Sequence, residues 1–167
     1  GFETTLHLPS GRYYKDASLA TALTADLLKV GVKAEIKKMD WDTYIPFIVR
    51  DQEDAEHKLY VLGWSTLTGD ADYGLYPLFY SGEWAKKGTN ASFFRNEKLD
   101  QLLDTARSTG NPNERKRLYK EAMTLIVEEA PWIFLYSEME ITGVRANVKN
   151  IMVQPTEGVI AKQAKIE

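Results

Sequence analysis

The sequence predicts an α/β fold, and three observations carry that prediction. Short apolar or alternating runs suited to strands are separated by longer runs with helical spacing. The first three such runs come in the order strand, helix, strand, which implies a right-handed crossover joining two parallel strands. Turn residues punctuate the runs at the positions where each should stop.

Residues 3–8 alternate apolar and polar side chains and end at Pro9-Ser10-Gly11, as a strand leading into a loop does. Asp16 is placed to cap a helix in which Leu19, Leu23, Leu27 and Val30 recur, and Gly31 stops it. Val32, Ala34 and Ile36 alternate with charged residues, giving a second strand with one wet face. Asp40 precedes Trp41, Tyr44, Ile45, Phe47 and Ile48, which share one helical face through about Arg50. After a polar stretch, Leu59 to Leu62 form an apolar run suited to a strand buried on both faces.

From Glu83 to Asn96 the chain is irregular. Asn96 is placed to cap a helix carrying Leu99, Leu102, Leu103 and Ala106. Asn111-Pro112-Asn113-Glu114 supplies a cap, a first-turn proline and a capping-box acid in order. The helix it opens should bury Leu118, Ala122, Leu125 and Ile126 and stop before Pro131. Trp132 to Tyr136 reads as another buried strand. From Gly143 onward there are only short apolar pieces and no strong periodicity.

Composition bounds the function. The 167 residues suit one domain, with 44% hydrophobic and 27% charged residues, ordinary for a globular protein. The 21 basic and 24 acidic side chains leave a formal charge of −3, so nothing electrostatic favours nucleic acid or an anionic membrane. The nearest thing to a basic cluster, Arg115-Lys116-Arg117, is most simply a solvated helix face. The absence of cysteine excludes disulfides, thiol nucleophiles and thiolate metal sites. His7 and His57 fall in no zinc pattern, and no apolar run reaches the ~18 residues of a membrane span. The first residues lack the basic and apolar regions of a signal peptide, the pattern of a mature protein or an excised domain.

Ligands of open α/β sheets gather beyond the carboxyl ends of the strands. Two loops leave strands that way: Gly11-Arg12-Tyr13-Tyr14 and Gly63 to Asp72. If their strands are neighbours, the loops share a rim. Arg12 then offers a fork for a carboxylate, and Trp64 a flat apolar wall. Ser65, Thr66 and Thr68 offer neutral hydrogen-bonding groups, and Asp70 or Asp72 can meet an ammonium. Such a set suits a small zwitterionic, peptide-like ligand. The bland alternatives are a surface or ion-paired Arg12, a core Trp64, and aspartates that cap the following helix. Catalysis has less behind it. No nucleophile elbow, phosphate loop or dinucleotide fingerprint is present, and a calcium loop at Asp70-Asp72 fails because Gly74 sits where a ligand is needed.

Several of these stretches carry a resemblance. Gly11-Arg12-Tyr13, Leu28-Lys29-Val30-Gly31-Val32, the Gly63-Trp64 turn, Gly69-Asp70-Ala71-Asp72 with Leu78-Phe79, and Leu118-Tyr119-Lys120-Glu121-Ala122 ahead of Ala130-Pro131 occur in order. Together they resemble the family-5 solute-binding proteins of peptide ABC importers, over nearly the whole chain. The loop from Gly63 to Asp72 with Pro77-Leu78-Phe79 looks most like the glutathione and short-peptide branch.

The resemblance implies one lobe of a type II periplasmic-binding-protein clamshell, a mixed sheet flanked by helices. It implies a non-enzymatic protein outside the cytoplasm, without cofactor, that works with an ABC permease. Full-length members are several times longer, so the chain looks like their C-terminal portion. Residues 1–140 would form the ligand-binding lobe, and 141–167 a tail returning to an absent N-terminal lobe. An arginine near the Gly-Arg-Tyr position can pair with a peptide carboxylate, which supports Arg12; Tyr13 joins it in the site. In dipeptide and oligopeptide binders an aspartate soon after Gly-Trp holds the free amine, but Leu67 stands at the matching position here. Two readings from other classes remain: an interaction domain docking a partner through an exposed cleft face, and a metal-dependent hydrolase using Asp70 and Asp72.

Overall fold

The computed structural model describes every residue of the chain except Glu140 and Glu157. It divides into two compact units, one formed by residues 1–63 with 81–94, the other by 64–80 with 95–167.

The first unit is built on a parallel sheet. Strand β1 (Phe2–Pro9) leads through α1 (Asp16–Lys29) to β2 (Val32–Met39). The two strands pair in parallel from Phe2 opposite Val32 to Pro9 opposite Met39, the crossover expected from their order. Helix α1 ends where Gly31 takes a φ of +84°, a conformation glycine adopts without penalty, and the Gly31 amide bonds Leu28 O at 3.0 Å. At its start the cap position is Lys15, in a left-handed conformation, not Asp16. The Asp16 carboxylate instead accepts the amides of Gly11 and Ala17, each at 2.6 Å. It therefore closes the preceding loop rather than capping its own helix. Val30, expected on the apolar face, is exposed after the helix ends.

Helix α2 (Trp41–Ile48) is capped by Asp40, whose carboxylate accepts the Thr43 amide at 2.9 Å. Strand β3 (Leu59–Tyr60) pairs in parallel with β1, giving the order β2-β1-β3. Apolar contacts lie on both faces of β3. Leu59 and Val61 pack with Leu6, Leu8 and Ala20, while Tyr60 and Leu62 pack with Tyr44, Phe47 and Ile48. Burial is nonetheless only partial, and the ladder is two residues long. Its place at the sheet edge accounts for the difference from the fully buried strand expected.

In the second unit, α3 (Ala71–Phe79) is followed by α4 (Glu97–Ser108) and α5 (Pro112–Glu129), which pack against each other. Asn96 accepts the amides of Lys98 and Leu99, and Asn111 those of Asn113 and Glu114. Glu114 takes the Thr109 hydroxyl at 3.1 Å. The facing side chains Leu99, Leu102, Leu103, Ala106, Leu118, Tyr119, Ala122 and Ile126 are buried. Leu125 is only half-buried. Helix α5 ends at Ala130 in a left-handed conformation, directly before Pro131.

Two stretches depart from the sequence reading. Trp132 to Tyr136 is not a strand, and Ile133, Phe134, Leu135 and Tyr136 are exposed. An apolar run becomes a strand only when a neighbour supplies the ladder, and among the described residues none does. The tail forms two small antiparallel pairs, β4 (Val148–Lys149) with β7 (Lys165–Ile166) and β5 (Met152–Val153) with β6 (Val159–Ile160).

Candidate functional site

The order β2-β1-β3 puts the carboxyl ends of β1 and β3 side by side, because both strands pair in parallel. The loops that leave them meet. The Gly63 amide donates to Tyr13 Oη at 2.8 Å, and the Tyr13 ring stands edge-on to Trp41 at 6.4 Å. Arg12 is exposed, with its guanidinium carbon 4.7 Å from the Trp41 ring centroid. Within this unit no described carboxylate pairs with it. It is thus a cation held against an aromatic face, with its fork unspent.

Beneath these loops Tyr44 is fully buried, and its hydroxyl donates to Val61 O at 2.7 Å. Burial pushes its ionisation well above the usual phenol value. It ties the chain just after β3 to α2. A depression of about 620 Å³ elsewhere in the unit is lined by Arg50, Asp51, Glu53, Asp54, Glu56 and Lys86 among others, away from the strand ends.

Sequence spacing did not bring the histidines together, but the fold does. His7 and His57 are both buried, and both rings lie against Phe47, at 4.7 and 6.2 Å between centroids. His57 Nε2 lies 2.8 Å from Ala91 O, and the Nδ1 atoms of both rings are buried with no bonding partner. Desolvation pushes the His7 pKa down.

The second unit holds the other expected residues. Half-buried Trp64 stacks on Tyr73 at 5.7 Å, and its Nε1 donates to Tyr73 O at 2.9 Å. The indole is therefore fixed but not enclosed. Ser65 is half-buried, while Thr66 and Thr68 are exposed. A turn closed by the Gly69 amide on Thr66 O at 2.7 Å needs the positive φ, +68°, that Gly69 supplies. Thr68 Oγ1 accepts the Asp70 amide at 3.2 Å. Leu67 is 58% exposed.

Asp70 caps α3 by accepting the Asp72 amide at 2.8 Å. The same carboxylate receives a two-pronged ion pair from Arg115, at 2.8 and 2.9 Å. That pairing holds the Asp70 carboxyl below its usual range and raises the Arg115 value. Asp72 accepts the Tyr119 hydroxyl at 3.1 Å and pairs with Arg107 Nε at 3.2 Å. Arg115, read from sequence as part of a solvated face, thus faces inward to α3. Arg117 keeps the expected solvated role, paired with Glu121. Among the described residues, no group of three His, Asp or Glu side chains is arranged to hold a metal.

Comparison with known proteins follows this geometry. Residues 1–86 match the family described as bacterial extracellular solute-binding proteins, family 5. The chain is 34% identical over 160 residues to a glutathione-binding protein, GsiB, of Salmonella typhimurium, covering 95% of this chain and 31% of that protein. A dipeptide-binding protein from Pseudoalteromonas in complex with Met-Leu superposes with a TM-score of 0.76 at 28% identity, covering 100% of this chain and 32% of that one. The periplasmic binding protein DppA from Helicobacter pylori, in complex with the peptide STSA, gives 0.69 at 28% identity, covering 78% and 24%. The chain therefore spans about a third of the length of the curated relatives it matches.

Proposed function

This chain belongs to the family-5 bacterial extracellular solute-binding proteins, and from that premise we propose that it is the ligand-binding part of a peptide importer's capture protein. Its family binds solutes rather than transforming them, and no described helix is long and apolar enough to cross a membrane. The observation that carries the proposal is the meeting of the two strand-end loops at Tyr13 and Gly63. They form an edge at the place where α/β sheets receive ligands.

Arg12 receives the carboxylate of a short peptide or glutathione-like ligand, with Tyr13 beside it. Considered by itself, the second unit offers half-buried Trp64 as an aromatic surface and Ser65, Thr66 and Thr68 as neutral hydrogen-bonding groups for a peptide-like ligand. Asp70 and Asp72 act by holding the loop in place, since their carboxylates are already engaged by Arg115, Arg107 and Tyr119. The relatives' ligands, glutathione in one name and Met-Leu in one structure, support the peptide class.

In this reading residues 1–140 form one lobe of a clamshell and residues 141–167 return to the other. Ligand bridges the lobes outside the cytoplasm, closure strengthens the charge pairs, and an ABC permease reads the closed state. The exposed run from Ile133 to Tyr136, with Met139 and Ile141 86% and 88% exposed, supports a longer polypeptide that covers these side chains. The same surface gives the rival reading, a domain that docks a separate protein. Calorimetry with the full-length protein separates the two. Short peptides should bind, and Arg12→Ala should weaken them by about 2–5 kcal/mol, as for loss of a desolvated charge partner. Heat flow absent for every peptide would favour the docking reading.

A further inference from the structure

The loop from Trp64 to Gly69 carries no ionisable side chain. The carboxylates that follow it are engaged within their own unit. Arg115 spends both terminal nitrogens on Asp70, and it also donates from Nη2 to Tyr119 Oη at 3.2 Å and from Nε to Ala106 O at 3.2 Å. Tyr119 in turn donates to Asp72, whose other partner, Arg107, lies over the Tyr76 ring at 3.8 Å. Two guanidiniums thus face two carboxylates, and their charges cancel. A ligand ammonium approaching Asp70 would find both carboxylate oxygens already taken by Arg115 and would have to break a two-pronged pair to replace it.

We propose that Arg115 is a specificity-determining residue: by occupying Asp70 it keeps the 64–70 loop neutral, so the ligand group received there is an amide or hydroxyl and not a free ammonium. The substrate class is then a peptide-like molecule with a carboxylate and no recognised amine at this loop. The inference rests on the peptide-binding reading above. Arg115 acts through Asp70 and does not itself touch ligand. A neutral surface of this kind discriminates by what it fails to reward, because an ammonium stripped of water gains no counter-charge in return.

The test is calorimetry on the full-length protein with two probes, Met-Leu and N-acetyl-Met-Leu, the second carrying a neutral acetamide in place of the charged amine. The wild type should bind both within about threefold. Arg115→Met, which uncovers Asp70, should shift the ratio of affinities toward the free amine by about tenfold or more. Arg115→Lys keeps a cation beside Asp70 and should keep the wild-type ratio even where both affinities fall. That rescue separates charge masking from mere support of the fold. Leu67→Asp, at an exposed side chain outside the network, should produce the same tenfold shift, so the outcome does not hang on the folding of Arg115→Met. A wild type that prefers Met-Leu by more than about tenfold overturns the inference alone. So does a Leu67→Asp variant with the wild-type ratio. A wild type that binds neither probe overturns this inference, and one that binds no short peptide or glutathione overturns the peptide reading with it.

Discussion

Tyr13 Oη accepts the Gly63 amide across 2.8 Å, joining residues 50 positions apart and locking together the two loops that leave β1 and β3. The ladder reaches only to Val61, where its amide bonds His7 O at 3.0 Å, and the Tyr13 phenol oxygen carries the connection two residues further.

Tyr13→Phe should therefore lower the unfolding free energy by about 0.5–1.5 kcal/mol, toward the lower end because the Gly63 amide is exposed and water can replace the oxygen. Urea titration followed by circular dichroism reads this. A variant with wild-type stability would mean that the bond contributes nothing beyond solvent.

Tyr44→Phe should cost more, about 1–3 kcal/mol, because it leaves Val61 O without the donor it has at 2.7 Å in a part-buried setting. The same titration checks it. A smaller loss than for Tyr13→Phe would contradict the assigned burial.

Between these positions the limits of the sequence are visible. Periodicity located α1, α2, α4 and α5, and the caps at Asn96 and Asn111 were legible because an asparagine just ahead of an apolar period has one common use. The parallel pairing of β1 with β2 followed from chain order alone. The run from Trp132 to Tyr136 misled because apolar composition reports the wish for a partner, not its presence. The Arg115–Asp70 pair spans 45 positions with no intervening pattern, and the two histidines against Phe47 are brought together only by the sheet.

One of those histidines, His7, gives a pH dependence. Burial is the main cause that lowers the His7 pKa from the ordinary 6.5, with His57 and Lys37 pushing the same way and a backbone bond at Leu59 and Glu56 opposing. The unfolded chain then binds the proton more readily, so stability is full above about 6.5 and falls as pH drops through the window between the two values. Denaturation from about pH 7.5 to about pH 5 should show this loss, and His7→Gln should reduce it. An equal slope in wild type and variant would place the titration elsewhere.

Helix α5 supplies Arg115 and Tyr119, so its start bears on the loop it holds. Asn111→Ala removes the acceptor for the Asn113 and Glu114 amides and should cost about 1 kcal/mol of stability. Thermal unfolding measures it. An unchanged midpoint would show that Thr109 and water serve equally well.

The central claim is that the β1–β3 edge is one wall of a peptide-binding cleft. Native mass spectrometry of the full-length protein, offered an equimolar mixture of dipeptides, tripeptides and glutathione, tests it most directly. The account predicts a one-to-one adduct with a member of the mixture that disappears in Arg12→Ala. A protein that carries no adduct, or the same adduct in the Arg12→Ala variant, would contradict it.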